Sequence, residues 1–215
     1  MASMKDKLNA DYLGGYGFAP ETVIDVGVLK GTPFLYDCFP DAKFVLIDPL
    51  EESRQAVEAT YGGRLDFDFH VCGASEQAGA FTLRVPRGGM AKSSTARRAN
   101  QSAELEERQI DTRPLDDICA GYSGPFGLKI DTEGHELSVL RGARNVLKDC
   151  EFVIAEVSIK RRFENGYRFS DVIGFMAAEG FEAHSFLSGF TRSPRMSDVL
   201  FVKWDSPRFE MGKTR

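Results

Sequence analysis

The chain has 215 residues, of which 27% are charged, and its formal net charge at pH 7 is −5. This length is enough for one α/β domain with a sizeable core, and the negative balance argues against a nucleic-acid partner. No apolar run reaches the roughly 20 residues that a membrane helix needs, and the N-terminus lacks the apolar core of a signal peptide. The four cysteines are scattered without a C-x-x-C pair, which indicates a reducing compartment, so we expect a cytoplasmic protein.

Strand and helix patterns alternate along the chain. Apolar runs rich in β-branched residues predict strands at 22–26, 43–47, 66–71, 126–130 and 151–156. Apolar residues at helical spacing predict helices at 31–38, 50–60, 135–148 and 169–179. This alternation is typical of an α/β fold whose parallel sheet is covered on both faces. Two last strands, at 181–186 and 198–203, predict an antiparallel C-terminal hairpin over 181–203 that closes one edge of the sheet.

A long insertion interrupts the alternation between the third and fourth strands. Within residues 73–125 the sequence predicts short strands at 80–85 and 108–113. The stretch 86–104 between them is rich in small and charged residues and can bury little surface. An insertion at the ligand end of a sheet is typical of a lid, so we expect residues 76–113 to form one, with 86–104 as its mobile part.

The first two strands end in carboxylates that flank a glycine turn. Asp25 ends the first strand, Gly27 and Gly31 follow it, and Asp48 ends the second strand. Gly27 lets the backbone approach a ligand, Gly31 lets a helix start close by, and Asp48 is placed to accept hydrogen bonds from ribose hydroxyls. An NAD site reads G-x-G-x-x-G and seats a pyrophosphate at the helix N-terminus. Here the pattern is D-x-G-x-x-x-G, with bulky residues between the glycines, which favours a nucleoside ligand without a pyrophosphate, such as S-adenosylmethionine.

Three further ionisable residues follow the fourth and fifth strands. Asp131 ends the fourth strand, His135 lies four residues later, and Glu156 ends the fifth strand. Ligands bind at the carboxyl ends of parallel strands near the switch point, so we expect the three to converge in one crevice, with Asp131 and His135 on one helix face. Such a group could deprotonate a hydroxyl, position it or hold a divalent metal. We do not favour a metal site, because the sequence supplies few additional oxygen ligands.

Basic residues gather at the same end of the predicted sheet. They lie in the insertion and after the fifth strand, at Arg84, Arg87, Lys92, Arg97, Arg98, Lys160, Arg161 and Arg162. For any single residue a solvated surface position is the simpler interpretation. Two clusters of basic residues at the same end of the sheet, in a protein that is acidic overall, nevertheless indicate an anionic acceptor.

Several stretches of the chain resemble the FkbM family of S-adenosylmethionine-dependent methyltransferases. The matching stretches are VIDVGVLKG, IDPLEES, CGASEQAGAFTLRV, PLDDI with FGLKIDTEGHELSVLRGA, and AEVS with the later hairpin, and they cover about residues 14–203. The resemblance implies a single methyltransferase domain over 1–215, with an N-terminal segment at 1–20. It implies a class I methyltransferase (Rossmann-like) fold, in which a seven-stranded sheet has six parallel strands and one antiparallel strand.

The resemblance also implies roles for individual residues. Asp25, Gly27 and Gly31 would line the methionine portion of the cofactor, and Asp48 would bind the ribose. Gly73, Ala74 and Ser75 would lie near the adenine, Asp131 would lie by the methionine amine and the acceptor, and Glu133, His135 and Glu156 would face the acceptor. The chain departs from the family where a small residue and an asparagine usually follow the first glycine, because Val28 and Leu29 stand there.

We therefore expect an S-adenosylmethionine-dependent O-methyltransferase that acts on a hydroxyl of a small molecule, such as a sugar, a polyketide or another secondary metabolite. His135 is the first candidate base, because the unperturbed pKa of histidine lies near neutrality; Asp131 or Glu156 would orient it or act in its place. A nicotinamide-dependent oxidoreductase is the first alternative, but the G-x-G-x-x-G motif and a Ser/Tyr/Lys set are missing. A non-catalytic cofactor-binding module is the second. The sequence leaves the acceptor and the oligomeric state open.

Overall fold

A computed structural model describes residues 7–86, 105–164, 166–189 and 191–210. These residues form ten strands: β1 (Thr22–Val26), β2 (Lys43–Ile47), β3 (Phe67–His70), β4 (Gly73–Ala74), β5 (Gly79–Pro86), β6 (Leu105–Arg113), β7 (Phe126–Ile130), β8 (Cys150–Ser158), β9 (Phe181–Phe186) and β10 (Met196–Lys203). They also form seven α-helices: α1 (Ala10–Gly14), α2 (Pro33–Cys38), α3 (Glu51–Tyr61), α4 (Leu115–Ile118), α5 (Glu136–Arg141), α6 (Arg144–Lys148) and α7 (Phe169–Ala178). A 3-10 turn follows at Pro207–Glu210. Within this part of the chain, no helix is long and apolar enough to cross a membrane.

Seven strands build the central sheet in the order β3-β2-β1-β7-β8-β10-β9. Neighbours from β3 to β8 are parallel, whereas β10 runs antiparallel to both β8 and β9. The predicted seven-stranded, mostly parallel sheet with an antiparallel C-terminal strand pair is therefore confirmed. Strand order reverses between β1 and β7, and such a switch point is where open α/β sheets bind ligands.

Both faces of the sheet are covered by helices. Strand residues alternate between the faces, so that Ile24 and Val26 pack with the apolar residues of α4 to α7. Val23 points to the opposite face and packs with the apolar residues of α1 to α3. Most of the strand residues in β1, β7 and β8 are fully buried, which explains why they read as continuous apolar runs in the sequence.

The insertion contributes a second, three-stranded sheet in the order β4-β6-β5. Strands β5 and β6 are antiparallel and correspond to the strands expected at 80–85 and 108–113. An apolar face of this sheet, with Leu83 and Ile110, packs against Leu50, and the Arg108 guanidinium donates to the Glu52 carboxylate at 2.6 Å. The insertion sheet is thereby fastened beside the carboxyl ends of the central strands. Residues 87–104, nearly all of the expected mobile part of the lid, lie outside the described residues.

The expectation of one helix over 135–148 is wrong, because the chain forms α5 and α6 with a break between them. A Cβ atom on Gly142 would lie 2.1 Å from the carbonyl oxygen of Ser75, so only glycine fits where the two segments pass. The Gly142 carbonyl accepts a hydrogen bond from the Asp116 backbone N–H at 3.0 Å. The Asp116 carboxylate in turn accepts the backbone N–H of Asn145 at 2.9 Å, which starts α6. Long-range contacts thus end the first helix and begin the second.

Candidate active site

A cavity of about 230 Å³ opens at the carboxyl ends of β1, β2 and β7. The central sheet and the turns after its strands contribute Val26, Gly27, Leu29, Ile47, Asp48, Pro49, Leu50, Asp131, Thr132, Glu133 and His135. The insertion side contributes Cys72, Gly73, Ala74, Leu83, Ile110 and Thr112. Of the residues predicted for the site, Gly27, Asp48, Gly73, Ala74, Asp131, Glu133 and His135 line the cavity, and Asp25, Gly31, Ser75 and Glu156 lie outside its described lining.

The glycine turn after β1 is pressed against the end of β7. Gly27 has φ +82°, and a Cβ atom on it would come within 1.8 Å of the carbonyl oxygen of Asp131. Gly31 has φ +106°, and a Cβ atom on it would lie only 2.6 Å from the ring of Tyr61. The absence of a side chain at Gly31 therefore leaves room for this ring. Between them Leu29 also adopts a left-handed conformation, with φ 53°, a region that asparagine tolerates better than leucine. Leu29, where the chain departs from the family pattern, therefore has a strained backbone conformation, and this residue lines the cavity.

Asp48 holds this turn through its carboxylate. One oxygen accepts the backbone N–H of Leu29 at 2.9 Å, and the other accepts the backbone N–H of Leu50 at 3.0 Å. The side chain is buried, and this burial raises the pKa of Asp48 against the two backbone hydrogen bonds, which lower it. A carboxylate has about four acceptor positions. Asp48 can therefore fix the turn and still accept hydrogen bonds from a ligand.

A buried row of charges lies beneath the cavity. Asp25 is fully buried, accepts the Tyr36 hydroxyl at 3.1 Å, and is the register neighbour of Lys129 on β7. The Lys129 ammonium lies 3.6 Å from the Asp25 carboxylate and 3.7 Å from that of Asp131. Burial alone would lower the pKa of Lys129, but the two carboxylates outweigh it and raise the pKa. Sequence reasoning missed Lys129, although a lysine inside an apolar strand is itself a signal, because a buried charge needs partners.

The turn from Asp131 to His135 is not helical. Glu133 and Gly134 have φ values of 51° and 103°, and helix α5 begins only at Glu136. The expectation that Asp131 and His135 share a helix face is therefore wrong.

The buried Glu136 carboxylate holds this turn together. It accepts the backbone N–H of Gly134 at 2.9 Å and that of Thr132 at 3.1 Å. The Glu136 side chain thereby fixes the turn that carries Asp131 and His135, a role that sequence reasoning missed.

His135 faces the insertion from the rim of this turn. Its Nε2 atom lies 2.9 Å from the Ser75 hydroxyl, and the Phe81 ring meets the imidazole edge-on with 5.7 Å between centroids. Burial lowers the pKa of His135, so the imidazole is neutral at neutral pH and can accept a proton. Ser75, predicted to lie near the adenine, contacts His135 through this hydroxyl.

Glu156 adjoins the cavity through an arginine. It is buried and accepts a hydrogen bond from Arg162 at 2.8 Å, and the same guanidinium also binds the Glu133 carboxylate. Burial is the largest cause that raises the pKa of Glu156, and the charge of Asp131 raises it further, whereas the hydrogen bond from Arg162 lowers it. Asp131 and His135 thus share the cavity, while Glu156 is joined to it by Arg162 and Glu133. Because Arg162 already binds two carboxylates, it is a poor candidate for binding an anionic acceptor.

The side chains that line the cavity include three acids, Asp48, Asp131 and Glu133, and neither lysine nor arginine is in its described lining. The positive charges of Lys129 and Arg162 lie behind this lining, paired with Asp131 and Glu133. Within the described ranges, no three His, Cys, Asp or Glu side chains are grouped to hold a metal ion. This electrostatic environment favours a ligand with positive charge over one with phosphates.

Three features together define the class I methyltransferase fold. They are a seven-stranded sheet in which β10 is inserted antiparallel, a glycine turn after β1 and an acid after β2. The sequence profile described as the methyltransferase FkbM domain matches residues 25–183. The chain belongs to this family, which confirms the resemblance inferred from its motifs and the expected enzyme class, a methyltransferase. Comparison with curated proteins gave no match.

Solved structures share the fold at low sequence identity. The FkbM methyltransferase from Methylobacillus flagellatus KT is 20% identical with a TM-score of 0.52; the match covers 85% of this chain and 43% of that one. The chain thus spans less than half the length of that relative. Fibrillarin from Aeropyrum pernix, in complex with natively bound S-adenosyl-L-methionine, is 11% identical with a TM-score of 0.56 and coverages of 92% and 76%. The ribosomal protein L11 methylase from Lactobacillus delbrueckii subsp. bulgaricus is 14% identical with a TM-score of 0.50 and coverages of 89% and 76%.

Proposed function

We propose that this chain binds S-adenosylmethionine in the cavity and transfers its methyl group to a hydroxyl of a small molecule in the cytoplasm. The observation that carries the proposal is a switch-point cavity lined by three carboxylates, Asp48, Asp131 and Glu133, with no basic side chain in its described lining. S-adenosylmethionine carries a sulfonium cation, which such a cavity attracts. The pyrophosphate of a nicotinamide dinucleotide would meet like charges, and this favours the methyltransferase over the oxidoreductase alternative.

The lining residues fit the parts of this cofactor. Asp48 keeps acceptor capacity for two ribose hydroxyls beyond its bonds to Leu29 and Leu50. Leu83 and Ile110 supply an apolar wall of the kind a flat adenine ring needs. Asp131 supplies a carboxylate, and Gly27 a bare backbone, for the charged methionine end.

The bound cofactor supplies an electrophilic methyl group on a sulfonium. The protein must align the acceptor, exclude water and take up the hydroxyl proton. His135 is our first candidate for the base, because it lines the cavity and burial keeps its imidazole neutral at neutral pH. Asp131, with a half-buried carboxylate in the same cavity, can orient the acceptor. Glu156 is the alternative base, since its raised pKa permits proton exchange near neutral pH, although Arg162 occupies one of its oxygens.

Calorimetry and methyl transfer test the proposal in two steps. Titration with S-adenosylmethionine and with NAD should show binding of the first alone, and absence of S-adenosylmethionine binding would overturn the proposal. Tritiated S-adenosylmethionine is then incubated with a panel of sugars and polyketides, each paired with an analogue that lacks one hydroxyl. Label should enter a parent compound and not its analogue that lacks the accepting hydroxyl. Binding without transfer to any compound would favour the non-catalytic module, and equal label in both members of every labelled pair would refute transfer to the hydroxyls removed.

A further inference from the structure

The turn Asp131–His135 lines the cavity with a backbone that needs external support. Two successive residues, Glu133 and Gly134, adopt positive φ values of 51° and 103°. A glutamate in the left-handed region costs on the order of 1 kcal/mol and persists only where the surroundings enforce it. Glu136 supports this turn from the side of α5 through the N–H groups of Thr132 and Gly134. A second support comes from the segment that follows β8.

Arg162 and Phe163, in the segment that follows β8, pack directly against this turn. The Phe163 side chain is 2% exposed, and its ring would lie 2.6 Å from a Cβ atom on Gly134, so the ring covers the backbone of the turn. Arg162, which is 7% exposed, reaches over the turn and donates to the Glu133 carboxylate. The same guanidinium donates to Glu156 at 2.8 Å. One side chain thus joins the ends of two neighbouring strands, β7 and β8.

We propose that Arg162 is a positioning residue that fixes Glu133, and with it the cavity-lining turn, at the acceptor end of the site. The assignment of that end as the acceptor side rests on the proposed function.

The guanidinium suits this role because its planar fork offers several donors in fixed directions, so that two carboxylates are bound at once. A lysine ammonium is a point charge and would not hold both in one geometry. Buried ion triads are often replaceable by apolar residues without loss of stability. What the triad of Arg162, Glu133 and Glu156 supplies is therefore orientation of the two carboxylates more than net stability.

Hydrogen exchange of the protein without ligand tests the positioning directly. The backbone N–H groups of Thr132 and Gly134 report on opening of the turn, because both donate to Glu136. In Arg162→Gln we expect their exchange to accelerate at least tenfold, while the amides of β7 keep their rates. The matched control is Arg208→Gln, which breaks an arginine–carboxylate pair with Glu151 at 3.1 Å, at the opposite end of β8.

Glu133→Gln is the second variant, since it removes the same ion pair from the other side and leaves Arg162 on Glu156. It should accelerate exchange at the two turn amides as well, and it keeps the test decisive if Arg162→Gln does not fold. Unchanged rates in Glu133→Gln, or equal acceleration in Arg208→Gln, would overturn the proposal. No cofactor is present, so this result stands whether or not the protein binds S-adenosylmethionine.

Turnover separates positioning from a merely structural role. In Arg162→Gln, kcat for tritiated methyl transfer should fall at least tenfold, while the Kd for S-adenosylmethionine stays within threefold of the parent. Adding Glu133→Gln to Arg162→Gln should lower kcat by no more than a further threefold, because both substitutions break the same Arg162–Glu133 ion pair. Fully additive losses, or equal loss of binding and turnover, would count against the proposal. If the parent protein binds no S-adenosylmethionine, the proposed function alone fails.

Discussion

Replacing Asp48 by asparagine tests the cofactor site with the least disturbance of its structure. The carboxylate of Asp48 binds the N–H groups of Leu29 and Leu50 and, on the proposed function, two ribose hydroxyls. Hydrogen bonds to a charged group contribute about 1.5–3 kcal/mol each. Loss of the charge should therefore weaken S-adenosylmethionine binding by about 1–3 kcal/mol, or roughly 5- to 150-fold.

The stability of Asp48→Asn is set by two opposing effects. Its amide NH₂ cannot accept a hydrogen bond, so one of the two backbone donors loses its partner, which costs about 1–3 kcal/mol if that donor stays buried. Against this, burial raises the pKa of Asp48, so the folded protein binds the proton more tightly than the unfolded chain. The parent's stability therefore falls as pH rises from about 4 through the folded pKa and is constant above it. The asparagine variant does not lose stability in this way. We therefore expect the free energies of unfolding of the two proteins to differ by less than about 2 kcal/mol at pH 7.

Calorimetry at pH 7 and thermal unfolding between pH 4 and 8 measure both quantities. Asp66→Asn is the matched control, since Asp66 pairs with Lys43 at 2.8 Å at the opposite end of the sheet and its side chain is 76% exposed. That control should bind S-adenosylmethionine like the parent. Unchanged affinity in a folded Asp48→Asn protein would remove Asp48 from the ribose role. Asp48→Ala is less informative, because it deprives both backbone donors of their acceptor at once.

Three further substitutions probe the strain and the titratable groups of the site. Leu29→Asn should raise stability by about 1 kcal/mol, a melting-temperature rise of about 2–4 °C, because asparagine tolerates the left-handed conformation of residue 29; a lower melting temperature would refute this. His135→Ala should lower kcat by a factor on the order of 10²–10⁴ with cofactor affinity retained, and a kcat within about threefold of the parent, under 1 kcal/mol of barrier, would exclude it as the base. Burial raises the pKa of Glu156 to about 8, so the parent loses stability as pH rises from about 4.5 to 8. Glu156→Gln should escape this loss, so its stability relative to the parent in urea unfolding should increase over that range, and the opposite trend would show that Arg162 dominates the environment.

The architecture could be predicted from the sequence because its signals are local. Each buried parallel strand is a short apolar run, and the acids Asp25, Asp48 and Asp131 stand where those runs end. The glycine pattern after β1 and the KIDTEGHE stretch carried the family, and residues 25–183 match its profile. Residues that line the switch point follow from topology, because the carboxyl ends of parallel strands meet at one edge.

The supports of the site could not be predicted, because they join residues distant in the chain. Arg162 and Glu133 are 29 residues apart, and Ser75 and His135 are 60 apart. No periodicity encodes such pairs. One error was avoidable: Gly134 lies between Asp131 and His135, which were expected to share a helix face, and it is a left-handed residue that marks a turn before α5.

The placement of β10 between β8 and β9 has a consequence for synthesis on the ribosome. Strand β9 pairs only with β10 among the described strands, and β10 is made later. As the chain emerges, β8 presents an open edge and β9 has no hydrogen-bonding partner until Met196–Lys203 has left the exit tunnel. Nascent chains stalled before that point should therefore be open to chaperones and to strand-mediated aggregation at β8. Release of β10 would pair the open edge of β8 and one edge of β9 in a single step, with β9 as the outermost of the described strands.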